Sequence, residues 1–231
     1  MDGEQLPLSI PSHPDPDAPS RLPARVMPMQ PTRGDAPFDS DEFLFEPWWP
    51  GARAWLFVEE GRLRLRTQGL ADALAAVPEL RGMASGIHTD GAVVEGTLLV
   101  LDAAGRPDPD LLRARLEAGE WVGSPAFVAT DLLWDAYTPQ GRRPFRARRA
   151  RLDAVLPPSD TMVVGRGYPR EGILVAEALA SLGIEALSAR RLDARHRAGA
   201  AGDAWLRVPV TPAPDVSQRP TLALILRLPL E

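Results

Sequence analysis

Glu46-Pro47-Trp48-Trp49-Pro50-Gly51-Ala52-Arg53 runs directly into Ala54-Trp55-Leu56-Phe57-Val58, and both the architecture and the chemistry of the chain turn on these residues. From Arg53 to Val58 the run is rich in aromatic and branched side chains, which suit a pleated, half-buried surface. Arg62-Leu63-Arg64-Leu65-Arg66 alternates polar and apolar, and Glu59-Glu60-Gly61 between the two runs predicts a hairpin. Further strands are predicted at Ala92 to Leu101, Ala126 to Leu133, Thr161 to Gly165, Glu185 to Arg190, Trp205 to Val210 and Leu222 to Leu228. Helical spacing appears at Leu70 to Leu80, Asp108 to Leu116, Arg143 to Leu156 and Glu171 to Leu182, the last ended by Gly183. Hairpins mixed with helices predict an α+β domain built in layers, not a doubly wound parallel sheet.

Composition narrows the chemistry. All 26 basic side chains of the 231-residue chain are arginine, and there is no lysine. A GC-rich genome would produce the same bias, but the chemical consequence stands either way. A buried lysine amine can lose its proton and attack phosphorus, whereas a guanidinium stays charged and can only clamp phosphate. Without cysteine there is no disulfide, thiolate metal site or thiol nucleophile. The net charge of -5 offers no global attraction to nucleic acid, so such a contact must be local. The start, Met1-Asp2-Gly3-Glu4-Gln5, is acidic and followed by prolines, unlike a signal peptide. No run approaches ~18 apolar residues, so a cytoplasmic protein with no membrane segment is expected. Residues 1–36 carry eight prolines, at 7, 11, 14, 16, 19, 23, 28 and 31, and are expected to form a flexible tail.

Several short motifs, taken in order, resemble the adenylation domain of ATP-dependent DNA ligases, closest to the bacterial end-joining type. The entry segment Pro37 to Glu46 is similar to the lead into the family's nucleophile motif: lysine, any residue, aspartate, glycine, then arginine. Gly51 and Arg53 match it, but Trp48 stands at the nucleophile and Pro50 at the aspartate. The family's Asp-Gly-Glu strand is matched by Glu95-Gly96-Thr97, with Thr97 at the ribose carboxylate. Its Phe-Asp-Leu-Leu is matched by Thr130-Asp131-Leu132-Leu133, with Thr130 at the adenine-stacking ring. Glu185 to Arg190 matches the Glu-Gly-x-x-x-Lys segment, Glu185 keeping the acid that helps hold metal. Trp205-Leu206-Arg207-Val208-Pro209 matches the last lysine motif.

The resemblance implies two packed, mainly antiparallel sheets flanked by helices over residues 37–210. It also implies a nucleotide pocket whose remnants are Glu46, Gly51, Arg53, Glu95, Thr97, Thr130, Glu185, Arg190 and Arg207. ATP and magnesium are the family's cofactors. Here no lysyl-adenylate can form, and no catalytic residue or metal site is expected. A contact to a charged ligand is worth roughly 1.5–3 kcal/mol and a stacked base about 1–3. Four such losses are comparable with the roughly 8 kcal/mol of a micromolar ligand. Trp48 and Trp49 are expected to fill the vacated space. His88 and His196, in loops, are expected to be solvated and not substitute nucleophiles.

Two arginine clusters remain, at Arg142, Arg143, Arg146, Arg148, Arg149 and Arg151, and at Arg190, Arg191, Arg195 and Arg197. Of these, Arg142, Arg143, Arg146, Arg149, Arg190, Arg191, Arg195 and Arg197 are candidates to track phosphates. Residues 211–231, with one expected strand, are too short for the family's OB-fold domain. The expectation is therefore an inactive ligase-like protein that binds DNA ends or nicked DNA, or scaffolds a repair partner. The alternatives are an atypical active ligase, with a non-lysine or partner-supplied nucleophile, and a protein-interaction module without a nucleic acid role.

Overall fold

A computed structural model describes residues 20–216 and 218–228. Thirteen strands and four α-helices follow one another: β1 (Met29–Gln30), β2 (Thr32–Arg33), β3 (Ser40–Pro47), β4 (Ala52–Glu59), β5 (Arg62–Thr67), β6 (Ala92–Leu101), α1 (Pro109–Arg113), β7 (Ser124–Asp135), β8 (Thr138–Pro139), α2 (Phe145–Val155), β9 (Met162–Val164), β10 (Tyr168–Arg170), α3 (Gly172–Ser181), β11 (Ala186–Arg191), β12 (Gly199–Ala200), β13 (Trp205–Pro209) and α4 (Leu222–Leu226). They form two principal sheets, ordered β5-β4-β6-β7-β8 (with β9 beside β7) and β10-β3-β11-β13-β2. Most neighbours are antiparallel; β9 on β7 and β2 on β13 are parallel. The architecture is α+β, as the sequence implies.

The hairpin expected between Val58 and Leu63 is present. Glu60 and Gly61 both have positive φ, 50° and 72°, as the two central residues of a tight hairpin turn must. Strict alternation along β4 covers both faces of its sheet. Ala54, Leu56 and Val58 enter a core with Leu98, Phe127 and α2 residues Leu152 and Val155, while Trp55 and Phe57 pack with Leu22, Val93 and Leu133. A third core joins the sheets: Leu99, Ala126 and Val128 meet Phe43, Phe45, Leu187, Ala189 and Val208, with Val175 and Leu179 of α3 closing over them.

Five expectations are corrected. The tail expected over residues 1–36 lies outside the described residues up to 19, but residues 20–36 are built into the fold. Leu22 and Met29 are buried, Arg21 N donates to Glu59 Oε1 at 2.7 Å, and the Arg21 guanidinium lies 3.8 Å from the Tyr137 ring. The apolar residues between those prolines cover the Trp55–Phe57 face, so proline count misleads here. The strand expected over Leu222 to Leu228 is replaced by a helix, Leu222–Leu226. Thr221 caps it, accepting from Leu224 N at 3.2 Å, and Leu222, Ile225 and Leu228 face the core at helical spacing. Leu70 to Leu80 forms turns and then a 3-10 segment, Pro78–Gly86, because proline cannot continue a helix begun before it. The fourth and fifth corrections concern the arginines and His196 and fall in the site. Among the described residues no helix is long and apolar enough to cross a membrane.

Candidate functional site: a closed cleft and its basic rim

Strand register places the motif residues opposite one another. On the larger sheet Arg53 pairs with Thr97, and Glu95 lies between Trp55 and Asp131. On the smaller sheet Ser188 lies between Glu46 and Arg207, and Arg190 between Leu44 and Trp205. Because side chains alternate along a strand, Glu46, Ser188, Arg190, Trp205 and Arg207 project to the same side. Gly51 is required where the chain enters β4: a Cβ there would lie 2.3 Å from the Leu98 carbonyl oxygen.

Seven of the nine expected pocket residues, Glu46, Gly51, Arg53, Glu95, Thr97, Thr130 and Arg190, line one cavity together with Trp48, Trp49, Ser188 and Trp205. Its volume is about 70 Å³, whereas small-molecule sites usually span roughly 300–1,000 Å³. Layered side chains occupy the rest. The Trp48 and Trp205 rings are 6.1 Å apart and tilted by 32°. Arg190 sits 4.0 Å from the Trp205 ring and 4.7 Å from Phe145, and Arg53 lies 4.7 Å from Trp205. Trp205 is locked by its own hydrogen bond, Nε1 donating to Ser188 Oγ at 2.9 Å. Arg207 lies over the Trp48 ring at 5.0 Å. Stacking of guanidinium on indole is favourable by about 0.5–2 kcal/mol, so tryptophan and arginine fill this cleft cooperatively. The residues present do not fit ATP, because the cavity is too small, although Trp49 Nε1, Glu95 Oε2 and Arg190 Nε on its walls have no hydrogen-bond partner among the described residues.

The charges beneath the cleft are structural. Asp131 is fully buried and accepts from Arg148 Nε at 2.8 Å, Arg148 Nη2 at 2.7 Å and Arg190 Nη1 at 3.0 Å. Burial alone would push its carboxyl upward, but the two guanidinium groups outweigh that and hold it below the usual range. Glu46 accepts from Arg149 Nη1 at 2.7 Å, yet burial dominates there and raises its pKa despite Arg149 and Arg190. Burial pushes Arg190 downward, against the pull of Asp131, Glu95 and Glu46. Arg53 and Glu95 form a further ion pair.

Several candidates for phosphate contact are therefore corrected. Arg149 and Arg190 are buried in ion pairs, and Arg191 is held by Glu42 and by Asp203 at 3.0 Å. Arg142, Arg143, Arg146, Arg195 and Arg197 are exposed. The fold also merges what the sequence presents as two clusters. Arg146 N donates to Leu192 O and Phe145 N to Ala194 O, both at 2.8 Å, and His196 N donates to Gly141 O at 2.9 Å. One basic rim results. His196 is half-buried, not solvated, and burial lowers its pKa although Glu95 and Asp131 oppose this. Glu185 and Arg207 stand apart from the closed cleft and line the space behind Trp48. Among the described residues no three acidic or histidine side chains are placed to hold a metal ion.

Comparison with known proteins agrees with this fold. A probable DNA ligase of Anaeromyxobacter dehalogenans is 30% identical over 168 residues, covering 68% of this chain and 32% of the relative. The multifunctional non-homologous end joining DNA repair protein LigD of Mycobacterium tuberculosis is 28% identical over 184 residues, 79% of this chain and 24% of that protein. The chain is a homologue of the ATP-dependent DNA ligases. Among solved structures, mycobacterial DNA ligase D complexed with ATP and MES superposes with a TM-score of 0.68 at 24% identity, over 80% of this chain and 60% of that one. That likeness establishes the ligase-domain fold. The chain spans a quarter to a third of the length of these curated relatives. No family model matches it.

Sequence reasoning located the cleft but missed what closes it. Trp205, Ser188, Asp131 and Arg148 were not among the expected site residues. The signal was available in Trp205 and Ser188, each on an alternating strand with Arg207 and Arg190, residues already expected among the pocket's remnants.

Proposed function

We propose that this ligase homologue does not transfer adenylate and acts in the cytoplasm as a DNA-binding module in strand-break repair. The observation that carries the reading is Trp48, at the position where the resemblance puts the family's lysine nucleophile, packed against Trp205 over a cavity of about 70 Å³. An indole has no lone pair to attack phosphorus. A genome biased against lysine would leave arginine at such a position, as at Arg190 and Arg207, and not tryptophan. The DNA-binding half of the reading is supported by the rim of Arg142, Arg143, Arg146, Arg195 and Arg197. No ion pair to a carboxylate occurs at any of the five among the described residues.

Incubation with radiolabelled ATP and magnesium, followed by a denaturing gel, should leave the chain unlabelled; a covalent band would overturn the inactive reading. Binding to nicked and blunt duplexes should weaken as salt rises, because each neutralised phosphate releases counterion. Arg146→Glu combined with Arg195→Glu should reduce affinity at least tenfold and lower the salt slope by about two. Affinity unchanged by that double reversal would remove the rim from the account. Absence of binding to any DNA would favour a protein-interaction role.

A further inference from the structure

The space behind Trp48 is larger than the closed cleft and chemically different from it. One chamber of about 450 Å³ is walled by Trp48, Trp49, Pro107, Pro109 and Pro220, with Arg219 at its edge. It continues into a pocket of about 490 Å³ that shares Trp48, Glu185, Ala186 and Arg207 and adds Arg33. Arg33 and Arg207 are register partners on the parallel strands β2 and β13, so their side chains lie next to each other on one face. Like charges side by side across strands destabilise a sheet. Neither has an ion-pair partner among the described residues, although Arg219 nearby is held by Asp108 at 3.2 Å. Two adjacent guanidinium groups that no carboxylate pairs with among the described residues, opening into a pocket, make a fork for an oxyanion, since each can offer two parallel donors to phosphate. The apolar wall beside that fork is broad and aromatic, as a nucleobase requires.

We propose that this chamber holds one unpaired phosphorylated nucleotide, its phosphate between Arg33 and Arg207 and its base against Trp48 and Trp49. The inference rests on the DNA-binding reading above. It assigns Trp48 a use after the loss of the nucleophile: one side of the indole closes the old cleft and the other lines a new site. Arg207 already lies over the Trp48 ring, at 5.0 Å, held there by a contact weak enough for a phosphate to redirect it. Glu185 shares the pocket and opposes the anion, so its removal should strengthen binding. As a nucleotide at a DNA end and a free mononucleotide present the same chemistry, the ligand source is decided by comparison of the two.

The test is binding of the full chain, followed by tryptophan fluorescence and anisotropy, to a duplex with a short 5′-phosphorylated single-stranded overhang. The same duplex with blunt ends, the overhang without phosphate, and thymidine monophosphate complete the set. The phosphorylated overhang should bind roughly tenfold more tightly than the blunt end. Trp48→Ala and the double variant Arg33→Gln with Arg207→Gln should each erase that preference while leaving blunt-end binding through the rim intact. Trp48→Phe, which keeps a ring, should retain most of the preference, and Glu185→Gln should increase it. Thermal melts of each variant exclude unfolding as the cause. Equal affinity for blunt and overhanging ends in the parent, or a preference that survives both disruptive variants, would overturn the inference while leaving the DNA-binding reading in place. If the parent binds no DNA, a saturable response to thymidine monophosphate that is lost in Trp48→Ala would assign the chamber to free nucleotides. No response would end both proposals.

Discussion

Replacing Asp131 with alanine is expected to lower the stability of the fold by about 3–5 kcal/mol, the usual consequence of stranding a buried charge without its partner. Two guanidinium groups depend on this carboxylate. Arg148 approaches from α2 and Arg190 from β11, at distances of 2.7 to 3.0 Å, and all three residues are buried. Asp131 itself is on β7, so the triad ties the larger sheet to the smaller and both to the helix. Urea denaturation should show a markedly lower midpoint, and Asp131→Asn, which keeps shape but loses charge, should come close to the alanine value. Asp153→Ala is the contrast: its contact to Arg149 is 3.7 Å at an exposed helix position, and its loss should cost under about 0.5 kcal/mol. A cost below 1 kcal/mol for Asp131→Ala would show that the triad is dispensable. The same residue sets an acid limit. Its folded pKa lies below the unfolded value, so the unfolded chain binds the proton more readily. Its stabilisation is therefore complete above about pH 4 and fades as pH falls below that, a loss that Asp131→Asn should no longer show.

Why this triad escaped the sequence is instructive. Phe145, Arg148, Arg149, Leu152 and Val155 are the buried positions of α2, and their spacing is that of a core-facing stripe. Counted as polar, the two arginines broke the stripe and suggested a solvated, phosphate-tracking face. Their burial depended on Asp131 and Glu46, acids on strands distant in sequence, and no local pattern joins residues 17 and 103 positions apart. The strands were more legible, because alternation is local: the hairpin around Gly61 and the runs at Ala92 to Leu101 and Trp205 to Val210 appear close to where expected. Leu222 to Leu228 was not, since a short apolar run has no period to separate strand from buried helix. Motif order located the cleft through Gly51, Glu95 and Arg190. Its closure was legible only at Trp48, because the stacking of Trp205 with Arg53 and Arg190 is a product of register between strands.

That stacking governs the second large effect. Trp48→Lys, although it restores the nucleophile of the family motif, is expected to give no covalent adenylate with labelled ATP. A lysine attacks phosphorus only when a nucleotide is held at bonding distance and in line, an arrangement worth about 7–11 kcal/mol of the barrier. Removing the Trp48 ring enlarges a cavity of about 70 Å³, but Trp205 remains hydrogen-bonded to Ser188 and covered by Arg190 at 4.0 Å. Thr97 and Thr130 supply neither the ribose carboxylate nor the adenine-stacking ring of the family motif, and Thr130 Oγ1 is already turned to the Glu95 carbonyl at 3.3 Å. Pro50 and Pro209 add no donor for phosphate. The variant should also lose the Trp48–Trp205 contact, worth about 0.5–1.5 kcal/mol beyond its buried area, and with it some rigidity of the cleft. A labelled band from this single substitution would mean that the nucleotide displaces Trp205, and that the closed cleft is one state of a mobile site. Failure of Trp48→Lys, followed by recovery when Trp205→Ala and Thr130→Phe are added, would locate the proposed inactivity in the packing of the cleft as much as in the missing amine.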